Sequence, residues 1–292
     1  MKTYLNRILA GLLAAAIPHL ALAQDAQTGE LPPGFVEVSD NVTSPNLRLH
    51  TVQKKEFSDA GSHEVVLYPG IVQLNTKFTQ HVGFGGQYVY HLHENFALQA
   101  MAQYFYVNQQ VAFADELIGS AKAQAKAATN LTLQWATTAG FEVTPIYGKF
   151  SFYEGAIGHF SVVLSGGAGM GGTRIQLTGA DDRTFGETGN KFVGQVGAGF
   201  RVRINDSFLV RLEFRDLVYT ATVDSINGCS REDMSALDSK SGEYSGSCKA
   251  ESFRAADGSL NTQGRLAKDM LDDMSSDVLN NLGVYGGVSY SF

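Results

Sequence analysis

Residues 281–292 alternate without a break. Leu282, Val284, Gly286, Val288, Tyr290 and Phe292 fall on one face of an extended chain, and Asn281, Gly283, Tyr285, Gly287, Ser289 and Ser291 fall on the other. Successive side chains of a strand point to opposite faces. This stretch is therefore a strand with one apolar, aromatic face and one small or polar face. An ordinary amphipathic strand of a soluble sheet reads the same way, so the rest of the chain must decide.

The N-terminal residues carry an address. Residues 1–23 have the make-up of a secretory signal peptide, with Lys2 and Arg7 first, an apolar run from Ile8 to Leu22, and Ala21-Leu22-Ala23 as a small-x-small cleavage site before Gln24. Pro18 interrupts the run and no stop-transfer pattern follows, which argues against a spanning helix. No cysteine follows the cleavage site, which argues against lipoprotein anchoring. Beyond Ala23 no stretch approaches the roughly 20 apolar residues that a spanning helix needs. The exported chain is expected either to be soluble outside the cytoplasm or to cross a membrane as a β-barrel.

Composition favours the barrel. Charged residues are only 17% of the chain while hydrophobic ones are 44%, a low charge content for a soluble surface. With 32 Gly, 12 Tyr, 18 Phe and only 6 Pro, the chain suits strands flanked by aromatic belts. The formal net charge is −7, and it becomes more negative once Lys2 and Arg7 leave. Nucleic acid, which needs a basic patch, is not an expected partner.

The two cysteines, Cys229 and Cys248, lie in one polar segment. In an oxidising compartment they are expected to pair. The bridge would close a loop of about 20 residues, worth roughly 3 kcal/mol in the chain-entropy model. No Cys or His set stands at zinc-ligand spacing. His91 and His93 share a strand face, but no third ligand is visible, and no cofactor is expected.

Eight strand candidates follow an irregular arm at 24–62: about His63–Leu74, His81–Leu92, Asn95–Asn108, Leu131–Thr144, His159–Gly171, Lys191–Ile204, Ser207–Tyr219 and Asp277–Phe292. Each is long enough for the roughly 9–11 tilted residues that cross a bilayer. In the fourth, Leu131, Leu133, Trp135, Thr137, Ala139, Phe141 and Val143 are expected on one face. The connections alternate in length. His93-Glu94 and Asn205-Asp206 are tight and 145–158 is a medium turn, whereas 109–130, 172–190 and 220–276 are long. Segment 115–129 is Ala-rich enough for a short helix in its loop. Short turns on one side and long loops on the other match an all-β, eight-stranded antiparallel up-and-down transmembrane barrel. The expected organisation is a signal peptide (1–23), a periplasmic arm (24–62) and a barrel (63–292) with a long extracellular loop at about 220–276.

Charged side chains alternate with apolar ones in the later strands. Arg201 and Arg203 face away from Phe200 and Val202, and Arg211, Glu213 and Arg215 face away from Val210, Leu212 and Phe214. Arginine costs about 2–4 kcal/mol at the midplane of a barrel's lipid face, so these charges are expected inside, with Glu142. An eight-stranded barrel is just wide enough for its own side chains to fill. The expectation is an internal layer of paired charges, Glu142 and Glu213 among Arg201, Arg203, Arg211 and Arg215. It reads as a packed plug, with a selectivity ring for anions as the alternative.

Two resemblances can now be named. Val288, Tyr290 and Phe292 resemble the C-terminal signal that the barrel assembly machinery reads in bacterial outer-membrane barrels, which implies that machinery as a partner. Segments 67–99 and 142–174 resemble the outer-membrane β-barrel domain proteins of myxobacteria and their relatives. The likeness rests on Tyr90 to Phe96, on Thr144 to Phe150, and on His159-Phe160 opening a glycine-rich strand. It implies a small barrel in a bacterial outer membrane, in contact with its lipid. It implies no activity, and some similar barrels belong to envelope-spanning and gliding-motility assemblies.

No catalytic constellation stands out. His81 with Asp216 or Asp224 lacks any supporting spacing, and the glycines of 166–172 lack the following Lys-Ser or Lys-Thr and the βαβ setting of a phosphate loop. The expected role is non-enzymatic: an anchor or partner-binding component of an envelope assembly, with recognition or divalent-cation binding carried by the acidic 220–276 loop. A narrow pore for small, possibly anionic solutes is the second expectation, and a barrel enzyme the third.

Overall fold

The computed structural model describes residues 58–75, 79–110, 131–152, 156–177, 184–241, 243–272 and 278–292. The expected signal peptide, the arm up to residue 57 and the Ala-rich segment 115–129 lie outside the described residues. Residues 55–292 form one compact unit.

Eight strands make up that unit: β1 (His63–Gln73), β2 (Thr79–His93), β3 (Phe96–Gln110), β4 (Thr132–Phe152), β5 (Ala156–Gln176), β6 (Phe185–Arg203), β7 (Phe208–Thr220) and β8 (Val278–Ser291). Each pairs antiparallel with its chain neighbours, and β1 also pairs with β8, so the sheet closes on itself. Closure leaves the sheet without an edge strand. The tight connections at Glu94-Asn95 and 204–207 lie at one end of the barrel, the turn end. The opposite, cap end carries the connection between β7 and β8.

The alternation in sequence becomes an inside and an outside. Leu67 (60% exposed), Phe192 (67%), Val196 (59%) and Val288 (52%) point outward, while Gln87, Gln99, Gln195, Arg211, Glu213 and Arg215 are buried in the lumen. A continuous apolar outer wall is a liability in water and is what a bilayer requires, because a closed barrel satisfies every backbone group internally. At the turn end the wall finishes in aromatic rings. His63 stacks on Tyr90 (4.8 Å between centroids) and on Phe292 (5.7 Å), and Tyr290 meets Phe208 at 5.2 Å. Among the described residues no helix is long and apolar enough to cross a membrane.

Three sequence expectations about β4, β5 and β6 need correction. The segment 145–158 is not a turn, since β4 and β5 stay paired as far as Phe152↔Ala156. Aromatic rings covering glycines hold this extension together. A Cβ on Gly148 would come 2.4 Å from the Phe160 ring, and one on Gly158 would come 2.5 Å from the Phe150 ring. The 172–190 loop is likewise mostly strand, with β5 reaching Gln176 and β6 starting at Phe185. Third, Leu131 (1% exposed) and Leu133 (0%) turn inward rather than sharing the face of Phe141. A register shift between Leu133 and Trp135 inserts one residue, and a bulge of this kind flips every side chain beyond it. The side chain of His81 serves the backbone there, its Nε2 accepting the Leu133 N–H at 2.9 Å.

Candidate functional site

The lumen at the turn end is filled by charge. Arg211 on β7 is 1% exposed. Its Nε and Nη2 fork onto the two oxygens of Glu64 on β1 (2.8 and 2.7 Å), and Nη1 donates to Glu142 on β4 (2.8 Å) and to Glu213 (3.2 Å). A further Nη2–Glu142 bond at 3.3 Å occupies the fifth donor of the guanidinium. Arg215, also on β7 and fully buried, donates from Nε to Glu213 (2.8 Å) and from Nη2 to Gln87 (2.6 Å). The Tyr68 and Tyr285 rings flank its guanidinium at 5.5 and 5.6 Å. Glycines make the room, for a Cβ on Gly197 would lie 2.9 Å from Arg215 Cγ, and one on Gly199 2.5 Å from Glu213 Cγ.

Arg201 joins this cluster through Glu64 (3.2 Å), and Arg203 lies further out, at the mouth. Both reach Asp59, which precedes β1 and is 2% exposed. The structure therefore joins all six charges expected inside, Arg211, Glu142, Glu213, Arg215 and Arg201 through Glu64 and Glu213, and Arg203 at the rim through Asp59. Sequence reasoning missed Glu64 and Asp59. Glu64 was readable, because Val65 and Leu67 mark the outer face of its strand. Asp59 was not, because it lies in the irregular arm and not on a strand. His91 and His93 do not share a face. His91 is buried with Nε2 3.0 Å from Glu64, and His93 is exposed beyond a local register shift.

The cap end is filled chiefly by an apolar cluster, although polar strand residues there such as Gln73, His81 and Thr173 are buried too. The 220–276 loop contains helices that the sequence reading did not anticipate: α1 (Arg231–Ser239), a 3-10 turn (Ala250–Phe253) and α2 (Thr262–Asp272). A capping box starts α1, in which the Ser230 side chain accepts the Asp233 N–H (3.2 Å) and Asp233 accepts the Ser230 N–H (2.9 Å). That signal was present as Ser230-x-x-Asp233. Burial tends to raise the Asp233 carboxyl, but the hydrogen bonds from Ser230 and Ser245 outweigh it and hold the group below its ordinary value. Ile226, Leu237 and Phe253 of the cap form one apolar cluster with Leu133, Val193 and Leu217 of the barrel wall. Asn227 ties the cap to β6, its N–H donating to Glu187 O (2.8 Å) and its Oδ1 accepting the Glu187 N–H (2.9 Å). A Cys229–Cys248 disulfide closes the base of the cap. The C-terminal positions Val288 (52% exposed), Tyr290 (46%) and Phe292 (63%) all face outward.

Among the described residues, no group of three or more His, Cys, Asp or Glu is placed to hold a metal ion. No protein-family model matches the chain, and no characterised protein matches it by sequence. Solved structures are similar at low identity. The N-terminal β-barrel domain of Pseudomonas aeruginosa OprF is 10% identical, over 80% of this chain and 98% of that one, with a TM-score of 0.35. Ail, the attachment invasion locus protein of Yersinia pestis, is 11% identical, over 80% and 99%, with a TM-score of 0.35. Neisserial surface protein A is 9% identical, over 80% and 98%, with a TM-score of 0.34. No residue role transfers at such values, and the fold rests on this chain's own closed strand ladder.

Proposed function

We propose that the chain is a non-enzymatic barrel of a bacterial outer membrane. Its wall anchors it, and its disulfide-tied cap is the partner-binding element of an envelope assembly. On this reading the turn end faces the periplasm and the cap faces outward. Val288, Tyr290 and Phe292 are then the strand read by the barrel assembly machinery, and the myxobacterial-type resemblance names the finer family.

The observation that carries the reading is the burial of the lumen. Side chains lining a water-filled bore would be wet, yet Tyr68, Arg211, Arg215 and Tyr285 are at most 1% exposed. A filled barrel leaves function to the surfaces it holds in place. The test is a planar-bilayer recording of the refolded mature chain, with a heat-dependent gel shift as the check of folding. A folded, electrically silent protein is expected. Discrete anion-preferring steps would replace the anchor with the narrow pore.

A further inference from the structure

Among the described residues of the ion-pair network, Asp59 alone does not sit on a strand of the barrel wall. Glu64, Glu142, Glu213 and all four arginines sit on strands, whereas Asp59 begins a short hook, 59–62, in front of β1. The Ser62 N–H closes the hook on Asp59 O at 3.0 Å, with Gly61 in the left-handed region at φ 80°. The hook is tied down by the Gly61 N–H on His91 O (2.7 Å), by Ser62 O accepting the His91 N–H (3.0 Å), and by Ser58 on Glu94.

Its carboxylate sits between two guanidiniums. Arg201 Nη2 donates to Oδ2 at 2.7 Å, and Arg203 Nη2 donates to Oδ1. Neither arginine depends on Asp59 for its position. Arg201 is also held by Ser161 Oγ (3.0 Å) and Glu64 (3.2 Å), and Arg203 by Asp206 O (2.7 Å). The space left beside them is about 10 Å³, no more than about one water molecule occupies. The pocket is full while Asp59 is in it, and its filling is an oxyanion.

We propose that Arg201 and Arg203 form an anion-binding cradle at the turn-end mouth. Asp59 occupies it as a tethered carboxylate, and a free oxyanion of carboxylate or phosphate type takes its place when the hook is withdrawn. Two guanidiniums offering one donor to each oxygen are a fork suited to such groups. Withdrawing the hook costs its two backbone bonds to His91 but leaves the β1 pairings from His63↔Tyr90 and Glu64↔Ser291 onward in place, whereas Glu64, Glu142 and Glu213 are fixed on strands. A tethered ligand competes at an effective concentration of order millimolar, so the intact chain resists free anions.

The test titrates inorganic phosphate into the refolded full chain in detergent, by calorimetry, after the gel shift confirms folding. Asp59→Asn and Asp59→Ala are expected to bind phosphate on the order of tenfold more tightly than the parent, and adding Arg203→Gln to either should abolish the gain. Equal binding by parent and variants, or a gain that survives Arg203→Gln, overturns the proposal. Should neither Asp59 variant fold, a Ser62→Cys chain reports on the hook directly. Maleimide labelling of Cys at 62 should be faster in phosphate than in chloride of equal ionic strength, and an unchanged rate overturns the proposal. A failure here leaves the silent, anchored barrel standing, because bilayer silence and phosphate binding are read separately.

Discussion

The two halves of the lumen are filled by opposite means. At the turn end Arg211, Arg215, Glu64, Glu142 and Glu213 fill it with ion pairs; at the cap end Leu133, Val193 and Leu217 meet Ile226, Leu237 and Phe253. The first filling is supplied by the wall itself and the second is completed by an inserted loop. A buried ion pair gains little over a well-packed apolar pair, yet losing one partner is severe because the other charge is left stranded. An apolar filling fails more gently, by the size of the cavity opened. The charged half is thus intolerant of single changes and the apolar half tolerates them in proportion.

The contrast breaks first at Arg211. Arg211→Met takes a shared guanidinium from three buried carboxylates, leaving Glu64 with Arg201, Glu213 with Arg215 and Glu142 without its arginine, and is expected to cost about 3–5 kcal/mol in urea unfolding of the refolded chain. Adding Glu142→Gln, which removes the carboxylate left without its arginine, should recover most of that loss. A single variant as stable as the parent would end the distinction between the halves. In the apolar half, Leu237→Ala is expected to cost about 2–5 kcal/mol, read as faster proteolysis of 220–276 while the barrel's gel shift persists. Replacing Cys229 and Cys248 by Ser should remove roughly 3 kcal/mol from the cap, again without unfolding the barrel. Ser230→Ala, which removes the cap of α1, should cost about 1 kcal/mol.

The smallest effect is one of pH. Because the folded Asp233 carboxyl lies below its ordinary value, its contribution is complete above the unfolded value of about 3.9. It is lost as the pH falls through the folded value. Protease resistance of the cap should therefore hold from neutral pH to about pH 4 and decline only in stronger acid. Asp233→Asn should lower that resistance at neutral pH and flatten the decline.

The outer wall was legible in sequence because alternation is local. Each of Phe200, Leu212 and Val288 could be assigned to a face from its immediate neighbours. Leu133 was misassigned because one inserted residue reverses the rule, and nothing in Leu131–Trp135 announces the bulge. The inward arginines were legible for the same local reason as the wall. Their partners were harder, since Glu64 lies 147 residues from Arg211 and only closure of the sheet brings them together. Asp59 belongs to no repeating pattern at all. The cap helices left a signal in Ser230-x-x-Asp233 and in the spacing of Ala267, Met270 and Leu271, but the acidic residues around them read as a solvated loop.

Strict alternation has a blind spot that the Arg211 cluster removes. Sliding one strand past its neighbour by two residues keeps apolar side chains outward and polar ones inward, so the wall alone cannot distinguish a correct alignment from a slipped one. Arg211 takes its partners from β1, β4 and its own strand at once. A two-residue slip of either distant strand carries a carboxylate some 7 Å from the guanidinium and leaves buried charge uncompensated. The network therefore works as a combination lock on strand alignment, rejecting barrels that hydrophobicity would accept.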